Sequence, residues 1–213
     1  MFRNALVTGG RSGIGAALVA ALERDGTDVQ VLDLQNGFDV SDPAAWEAVG
    51  PVDLACLNAG IATGAGDLDA YRRAVAVNVD GVVFGVERLR GVMERGSAIV
   101  VTASLAGLVP MALDPIYTLT KHAVVGFVRS VAPGLAESGI RIHAVCPGFT
   151  DTPIVGPELR DWISEQGIPL MEPQQVADAI LHAARSEDSG QVWVVQPGRD
   201  PLRYEFRGVP GPR

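Results

Sequence analysis

Ala5-Leu6-Val7-Thr8-Gly9-Gly10-Arg11-Ser12-Gly13-Ile14-Gly15 is the stretch that decides the fold. Residues 5–7 are a short apolar run of the kind that forms a buried strand, and they stop at a glycine cluster. From Gly13 to Arg24 the apolar residues Ile14, Leu18 and Leu22 recur at helical spacing, and Gly26 follows as a helix terminator. A strand, a glycine-rich turn and a helix in that order form an anion cradle. Glycines let a phosphate approach the backbone, and the N–H groups and dipole of the first helical turn stabilise its charge. The loop has three residues between its first two motif glycines, Gly9 and Gly13, and so differs from G-x-G-x-x-G.

The same alternation continues outward. Strands are predicted over residues 29–33, 38–40, 52–58, 98–102, 140–145 and 191–195. Helices are predicted from Ser41 as N-cap with Pro43 in the first turn, over 69–93, over 115–136 and over 173–185. Pro133 should kink or end the third of these. Alternating strands and helices imply an α/β fold, a doubly wound parallel sheet of about seven strands with helices on both faces. Residues 1–196 read as a single dinucleotide-binding and catalytic domain, and 197–213, rich in Pro, Gly and Arg, as an irregular C-terminal tail.

Composition narrows the partners. The chain has 213 residues, 47 % of them apolar, with a formal charge of −8. That balance argues against nucleic acid and against an anionic membrane surface. There is no N-terminal apolar signal core and no run near the ~20 residues of a membrane span, so a cytoplasmic protein is expected. Cys56 and Cys146 lie in apolar runs and read as buried free thiols. His122, His143 and His182 are scattered and form no metal-ligand pattern, so no metal is expected.

Asp33 closes the second strand, 18 residues after Gly15. An acid about 20 residues past the glycines binds adenosine ribose hydroxyls in doubly wound folds, and its charge would repel a 2′-phosphate. NAD is therefore favoured over NADP, although Asp33 also fits a plain turn residue. Arg11, Ser12 and Ile14 complete the loop; the Arg11 side chain could reach a phosphate or stand in solvent. Tyr117 and Lys121 are four residues apart on a predicted helix and share one face. A phenol titrates at about 10, and a neighbouring ammonium would lower that value toward useful general acid–base chemistry. Taken alone, the pair fits surface packing better than catalysis.

Five motifs in order resemble the short-chain dehydrogenase/reductase family, a Rossmann-fold family. They are Thr8-Gly9-x-x-x-Gly13-Ile14-Gly15, Asn58-Ala59-Gly60, Asn78, Ser104 with Tyr117 and Lys121, and Pro147-Gly148 with Thr150 and Thr152. The resemblance spans about residues 3–196. It implies that Tyr117 passes a proton to or from the substrate oxygen and that Ser104 hydrogen-bonds the same oxygen. It further implies that Lys121 holds the nicotinamide ribose and that Asn78 helps supply protons to Lys121. Gly9, Gly13, Gly15, Asp33, Asp39, Val40, Asn58, Ala59, Gly60, Pro147, Gly148, Thr150 and Thr152 would join Tyr117 and Lys121 around the cofactor. The chain departs from the family between Asp33 and Asp39, where the usual helix linking strands two and three has no room.

A substrate wall is expected from Leu105, Val109, Met111, Leu113, Phe149, Ile154 and Trp162, without a cation awaiting an acidic group. That favours a hydrophobic secondary alcohol or ketone. The stretch from Ser104 to Phe149 is similar to the prostaglandin- and hydroxysteroid-oxidising branch. The resemblance also implies a homodimer or homotetramer built on the helices at 69–93 and 115–136. Two other readings stand beside this one: a non-catalytic dinucleotide sensor or scaffold, which a complete set of Asn78, Ser104, Tyr117 and Lys121 disfavours, and an NADPH-dependent carbonyl reductase, which Asp33 disfavours.

Overall fold

The computed structural model describes residues 2–64 and 66–208. Residues 209–213 of the expected tail lie outside the described residues. Among the described residues seven strands form one sheet: β1 (Asn4–Thr8), β2 (Asp28–Leu32), β3 (Leu54–Leu57), β4 (Ala98–Thr102), β5 (Arg141–Pro147), β6 (Val192–Val195) and β7 (Leu202–Arg203). Their order is β2-β1-β3-β4-β5-β6-β7, and all pairs are parallel except β6 with β7. The connecting helices are α1 (Gly13–Arg24), α2 (Leu68–Val75), α3 (Gly81–Val92), α4 (Pro115–Glu137), α5 (Pro157–Glu165) and α6 (Pro173–Ala184).

The sheet is buried on both faces because successive side chains of each strand point opposite ways. Leu6, Ala55, Ile99 and Ile142 face one core with Val86 of α3 and Val128 of α4. Ala5, Val7, Cys56 and Val100 face the other with Leu18 of α1 and Ile180 of α6. The strand order reverses between β1 and β3, which opens a crevice at their carboxyl ends. Both cysteines are buried and free.

Four expectations are corrected in detail. Residues 38–40 form no strand. Phe38 packs edge-on against Trp46 with centroids 5.2 Å apart, Trp46 Nε1 donates to the Val40 carbonyl at 3.0 Å, and Asp39 accepts from the Ser41 N–H and hydroxyl. These local bonds hold the stretch as a turn. Second, the cap of the following 3₁₀ helix (Pro43–Ala48) is Asp42 rather than Ser41. Third, α4 continues through Pro133, because Val128, Ala132 and Leu135 keep one face buried on both sides of it. Fourth, the tail is not wholly irregular: Leu202 and Arg203 pair antiparallel with β6, and Arg203 bonds Asp188 at 2.6 Å. The seventh strand is thus β7, and the usual helix before β3 is replaced by 3₁₀ turns at Leu34–Asn36 and Pro43–Ala48.

Without a strand beyond it, β2 forms the sheet edge. Asn36 serves there as a neighbour: its Nδ2 donates to the Val31 carbonyl at 2.8 Å, and its Oδ1 accepts from the Asp33 N–H at 2.9 Å.

His143 on β5 is fully buried, and neither ring nitrogen has a hydrogen-bond partner among the described residues. Burial first, and the Arg141 and Arg203 charges second, push it down to about 4 from 6.5. Between those values the unfolded chain binds more protons than the folded one. His143 therefore leaves stability intact above pH 6.5 and lowers it as pH falls toward 4. Moving from pH 7 to pH 5 should cost roughly 2 kcal/mol. Urea unfolding should show that slope in the parent chain and a shallower one in His143→Leu. Equal slopes would reject the assignment.

Candidate active site

The crevice between β1 and β3 is built from glycine backbone. Gly9 and Gly13 have φ of +64° and +49°, which side-chain-bearing residues rarely adopt. A Cβ on Gly15 would lie 2.0 Å from the Gly9 carbonyl oxygen, and one on Gly13 would lie 2.9 Å from Thr152 Cγ2. Ser12 caps α1 without a side-chain hydrogen bond, so the first-turn N–H groups are not taken by the cap. Asn58 fixes the opposite wall: its N–H donates to Thr8 Oγ1 at 2.8 Å and its Nδ2 to the Thr8 carbonyl at 3.2 Å. Ala59 N–H joins the same hydroxyl at 3.0 Å. These residues fit a dinucleotide: the glycines let the loop pack tightly against Ala59, Asn58 and Thr152, and the start of α1 leaves backbone N–H groups without intrahelical acceptors, as a phosphate site requires.

Asp33 directly follows β2 and is 8 % exposed. Its carboxylate already accepts from the Arg11 N–H at 3.0 Å and the Gln35 N–H at 3.0 Å, with Asn36 completing a capping box. It is thus a turn cap as well as the residue placed beside the loop. A carboxylate has about four acceptor sites, so capacity for ribose hydroxyls remains. The Arg11 side chain is exposed and contributes through its backbone. Val40 is buried in the core against Gly81, and Asp39 is exposed.

One cavity of about 1090 Å³ joins the glycine loop to Ser104, Tyr117 and Lys121. Ser104 follows β4, is buried, and its Oγ accepts from the Ala106 N–H at 3.1 Å, which leaves the hydroxyl proton free to donate. Lys121 Nζ donates to the Thr102 carbonyl at 2.9 Å and stands 5.4 Å from the Tyr117 ring centroid. Burial lowers Lys121 to about 8. Tyr117 departs from expectation. Burial raises it to about 12, and the Ser104 side chain beside it acts in the opposite direction. The ammonium is turned to the Thr102 carbonyl, and desolvation sets the direction at Tyr117.

Asn78 sits in a π-helical turn (Ala76–Asp80) between α2 and α3, a distortion of the kind that often marks a functional site. The helix expected over 69–93 is therefore interrupted. Asn78 Oδ1 accepts from the Ile61 N–H at 2.8 Å, and Nδ2 donates to the Ile61 carbonyl at 2.9 Å and Thr120 Oγ1 at 3.1 Å. Pro147, Gly148, Thr150 and Thr152, at the end of β5 and just after it, line the cavity, as do Leu105, Met111, Leu113, Phe149, Ile154 and Trp162. Val109 is corrected: it is 51 % exposed and not part of the lining. Sequence reasoning missed Ile61, Ala62, Leu159 and Asp114, which also line it. For Asp114 a signal was present, an acid three residues before the tyrosine at a helix start.

Residues 39–198 match the family model described as enoyl-(acyl carrier protein) reductase. A cis-4-hydroxycyclohexanecarboxylate dehydrogenase of Sinomonas cyclohexanicum is 34 % identical over 222 residues, covering 85 % of this chain and 89 % of that protein. The chain belongs to the short-chain dehydrogenase/reductase family. As a short-chain dehydrogenase/reductase it is an oxidoreductase acting on CH–OH groups. The bovine (Bos taurus) 15-hydroxyprostaglandin dehydrogenase [NAD(+)] is 29 % identical over 230 residues, covering 83 % of this chain and 84 % of that protein. The crystal structure of a Brucella melitensis short-chain dehydrogenase/reductase of the glucose/ribitol dehydrogenase type superposes with a TM-score of 0.81. It is 25 % identical and covers 92 % of this chain and 96 % of that one. No helix of the described residues is long and apolar enough to cross a membrane.

Proposed function

We propose that this short-chain dehydrogenase/reductase is NAD-dependent and interconverts a hydrophobic secondary alcohol and its ketone, with Tyr117 carrying the proton. The observation that carries this reading is the single cavity linking the glycine loop to Ser104, Tyr117 and Lys121. When bound, the nicotinamide supplies or accepts the hydride. Tyr117 exchanges the accompanying proton with the substrate oxygen, as acid toward a ketone and as base toward an alcohol. Ser104 directs its free hydroxyl proton at the same oxygen. Lys121, anchored on Thr102, offers its remaining N–H bonds to the cofactor ribose. Asn78 acts by holding Ile61, so its side chain supports the proton path rather than facing the reacting atoms.

NAD is preferred because Asp33 sets a carboxylate where a 2′-phosphate would bring more negative charge. Lys121 is the one basic side chain lining the cavity among the described residues, and Glu158 adds negative charge at its mouth. A neutral, apolar substrate suits that lining better than a carboxylate. This separates the chain from relatives whose names denote acidic substrates.

Fluorescence titration should find NADH binding at least about tenfold tighter than NADPH, with Asp33→Ser narrowing the gap while its hydroxyl still caps the turn. Turnover should favour neutral hydrophobic alcohols. Tighter NADPH binding would overturn the cofactor reading, and turnover confined to small charged substrates would overturn the substrate reading.

Residues 1–196 act in this proposal as one catalytic domain of a cytoplasmic homodimer or homotetramer. Leu68 and Tyr71 on α2 and Leu119 on α4 are exposed on adjoining helices and support that assembly. A monomer in light scattering would remove it.

A further inference from the structure

Asp114 belongs to none of the motifs, yet it joins the two sides of the pocket. It is 7 % exposed. Its Oδ1 accepts from the Tyr117 N–H at 2.8 Å and the Thr63 hydroxyl at 2.6 Å. Its Oδ2 accepts from the N–H groups of Thr63 and Gly64, both at 2.7 Å. A carboxylate offers about four acceptor sites, and here all are taken. The first bond caps α4 one turn before Lys121. The other three hold the loop at residues 61–64, whose start Asn78 fixes through Ile61. Ile61, Ala62 and Gly64 line the same cavity as Tyr117. At the root of that loop, a Cβ on Gly60 would meet Asn78 Oδ1 at 3.3 Å and Lys121 Nζ at 3.4 Å.

We propose that Asp114 is a positioning residue, a clamp that locks the 61–64 loop to the N-terminus of the helix bearing Tyr117 and so fixes the width of the site where substrate and cofactor meet. This rests on the reading of Tyr117 as the acid–base group. A neutral cap such as Ser or Asn could hold the helix, but it could not accept from both the helix and two loop amides. The negative charge has a second effect. The phenol of Tyr117 faces Ser104 from the turn after β4, Cys146 from β5, Lys121 on its own helix and Asp114 at the start of that helix. Burial is the largest cause that raises the phenol, and of these groups Asp114 and then Cys146 push it further up by repulsion while Ser104 lowers it.

Three variants of the full chain test the clamp. Asp114→Asn keeps an acceptor for the Tyr117 N–H but turns an N–H donor toward the Thr63 and Gly64 amides. Hydrogen exchange over 61–64 should accelerate about tenfold or more while 115–121 stays protected. The kcat should fall roughly 10- to 100-fold. In alcohol oxidation, the pH limb of kcat/KM assigned to Tyr117 should move to lower pH, because removing a neighbouring anion favours the phenolate. Loss of structural support alone would lower kcat without moving that limb. Asp114→Ser keeps the cap and loses the loop, with the same pattern expected. Thr63→Val keeps the charge and removes the 2.6 Å bond, so exchange should accelerate and kcat fall while the limb stays in place.

Unchanged exchange over 61–64 in Asp114→Asn overturns the proposal, as does a stationary limb. Should that variant fail to fold, Thr63→Val decides: unaltered exchange and kcat overturn the clamp. Exchange needs no turnover, so a wild-type chain without dinucleotide-dependent activity would defeat the Tyr117 reading and leave the clamp to be judged by exchange.

Discussion

Tyr117→Phe should lower kcat about a thousandfold while changing the dissociation constant for NADH less than about threefold. The substitution removes one oxygen and leaves the ring. That ring is half-buried beside Lys121, whose Nζ stays bonded to the Thr102 carbonyl, so the shape of the site persists. What goes is the group that carries a proton between the substrate oxygen and the protein. The phenol holds its proton through the neutral range, and its ring lies 5.4 Å from Lys121 Nζ. Ser104 can donate a hydrogen bond, but its Oγ already accepts from the Ala106 N–H and an aliphatic hydroxyl is a poor proton carrier near neutral pH. Steady-state rates and cofactor fluorescence on the same preparation make the check. A variant with near-wild-type rates would remove Tyr117 from the chemistry.

The second large effect is at the glycine loop. Gly15→Ala should weaken NADH binding about a hundredfold or more and lower the melting temperature by about 5 °C. The added Cβ would lie 2.0 Å from the Gly9 oxygen and 2.8 Å from Asn58 Nδ2. Neither neighbour is the loose end of a side chain. Gly9 N–H is bonded to the Leu32 carbonyl at 2.8 Å, and Asn58 is pinned to Thr8 by its N–H and its Nδ2. The loop must therefore move away from α1, and the N–H groups that would meet a phosphate move with it. Gly91→Ala in α3 is the control, because a Cβ there meets nothing within 4 Å. Its binding should match the parent, and its melting temperature should stay level or rise slightly, because alanine favours a helix over glycine. Isothermal titration and thermal melts distinguish the two, and parental affinity in Gly15→Ala would mean that the cofactor does not use this loop.

Much of this was legible in the chain itself, and the division follows the range of the interactions. The turn from β1 into α1 depends on glycines within eight residues, and Tyr117 with Lys121 depends on a single helical turn, so both are local. The missing helix before β3 follows from chain length alone. Residues 38–40 misled because a short apolar pair in extended spacing looks like a strand, whereas Trp46, several residues on, draws it into a turn. The π turn at Asn78 has no periodic signature, since it is set by bonds to Ile61 and Thr120 from other elements. The upward displacement of Tyr117 was equally invisible. A lysine four residues away suggests the opposite sign, and only the tertiary structure shows the ammonium turned to Thr102. Asp114 lies 51 residues from Thr63, a separation that no local pattern reports.

Asn36 has a consequence beyond the turn that it closes. A β-sheet that ends early presents bare peptide groups on which another polypeptide can add itself, the first step of ordered aggregation. On β2 the carboxamide of Asn36 occupies the Val31 carbonyl and the Asp33 amide much as the peptide group of an adjoining strand would. One side chain thus masks part of the template that a shortened fold would otherwise display. The exposed Asp28 on the same strand adds a charge that an incoming chain would have to desolvate. The chain can dispense with an outer strand at this edge because a single amide imitates one, and the same amide sets the turn that presents Asp33.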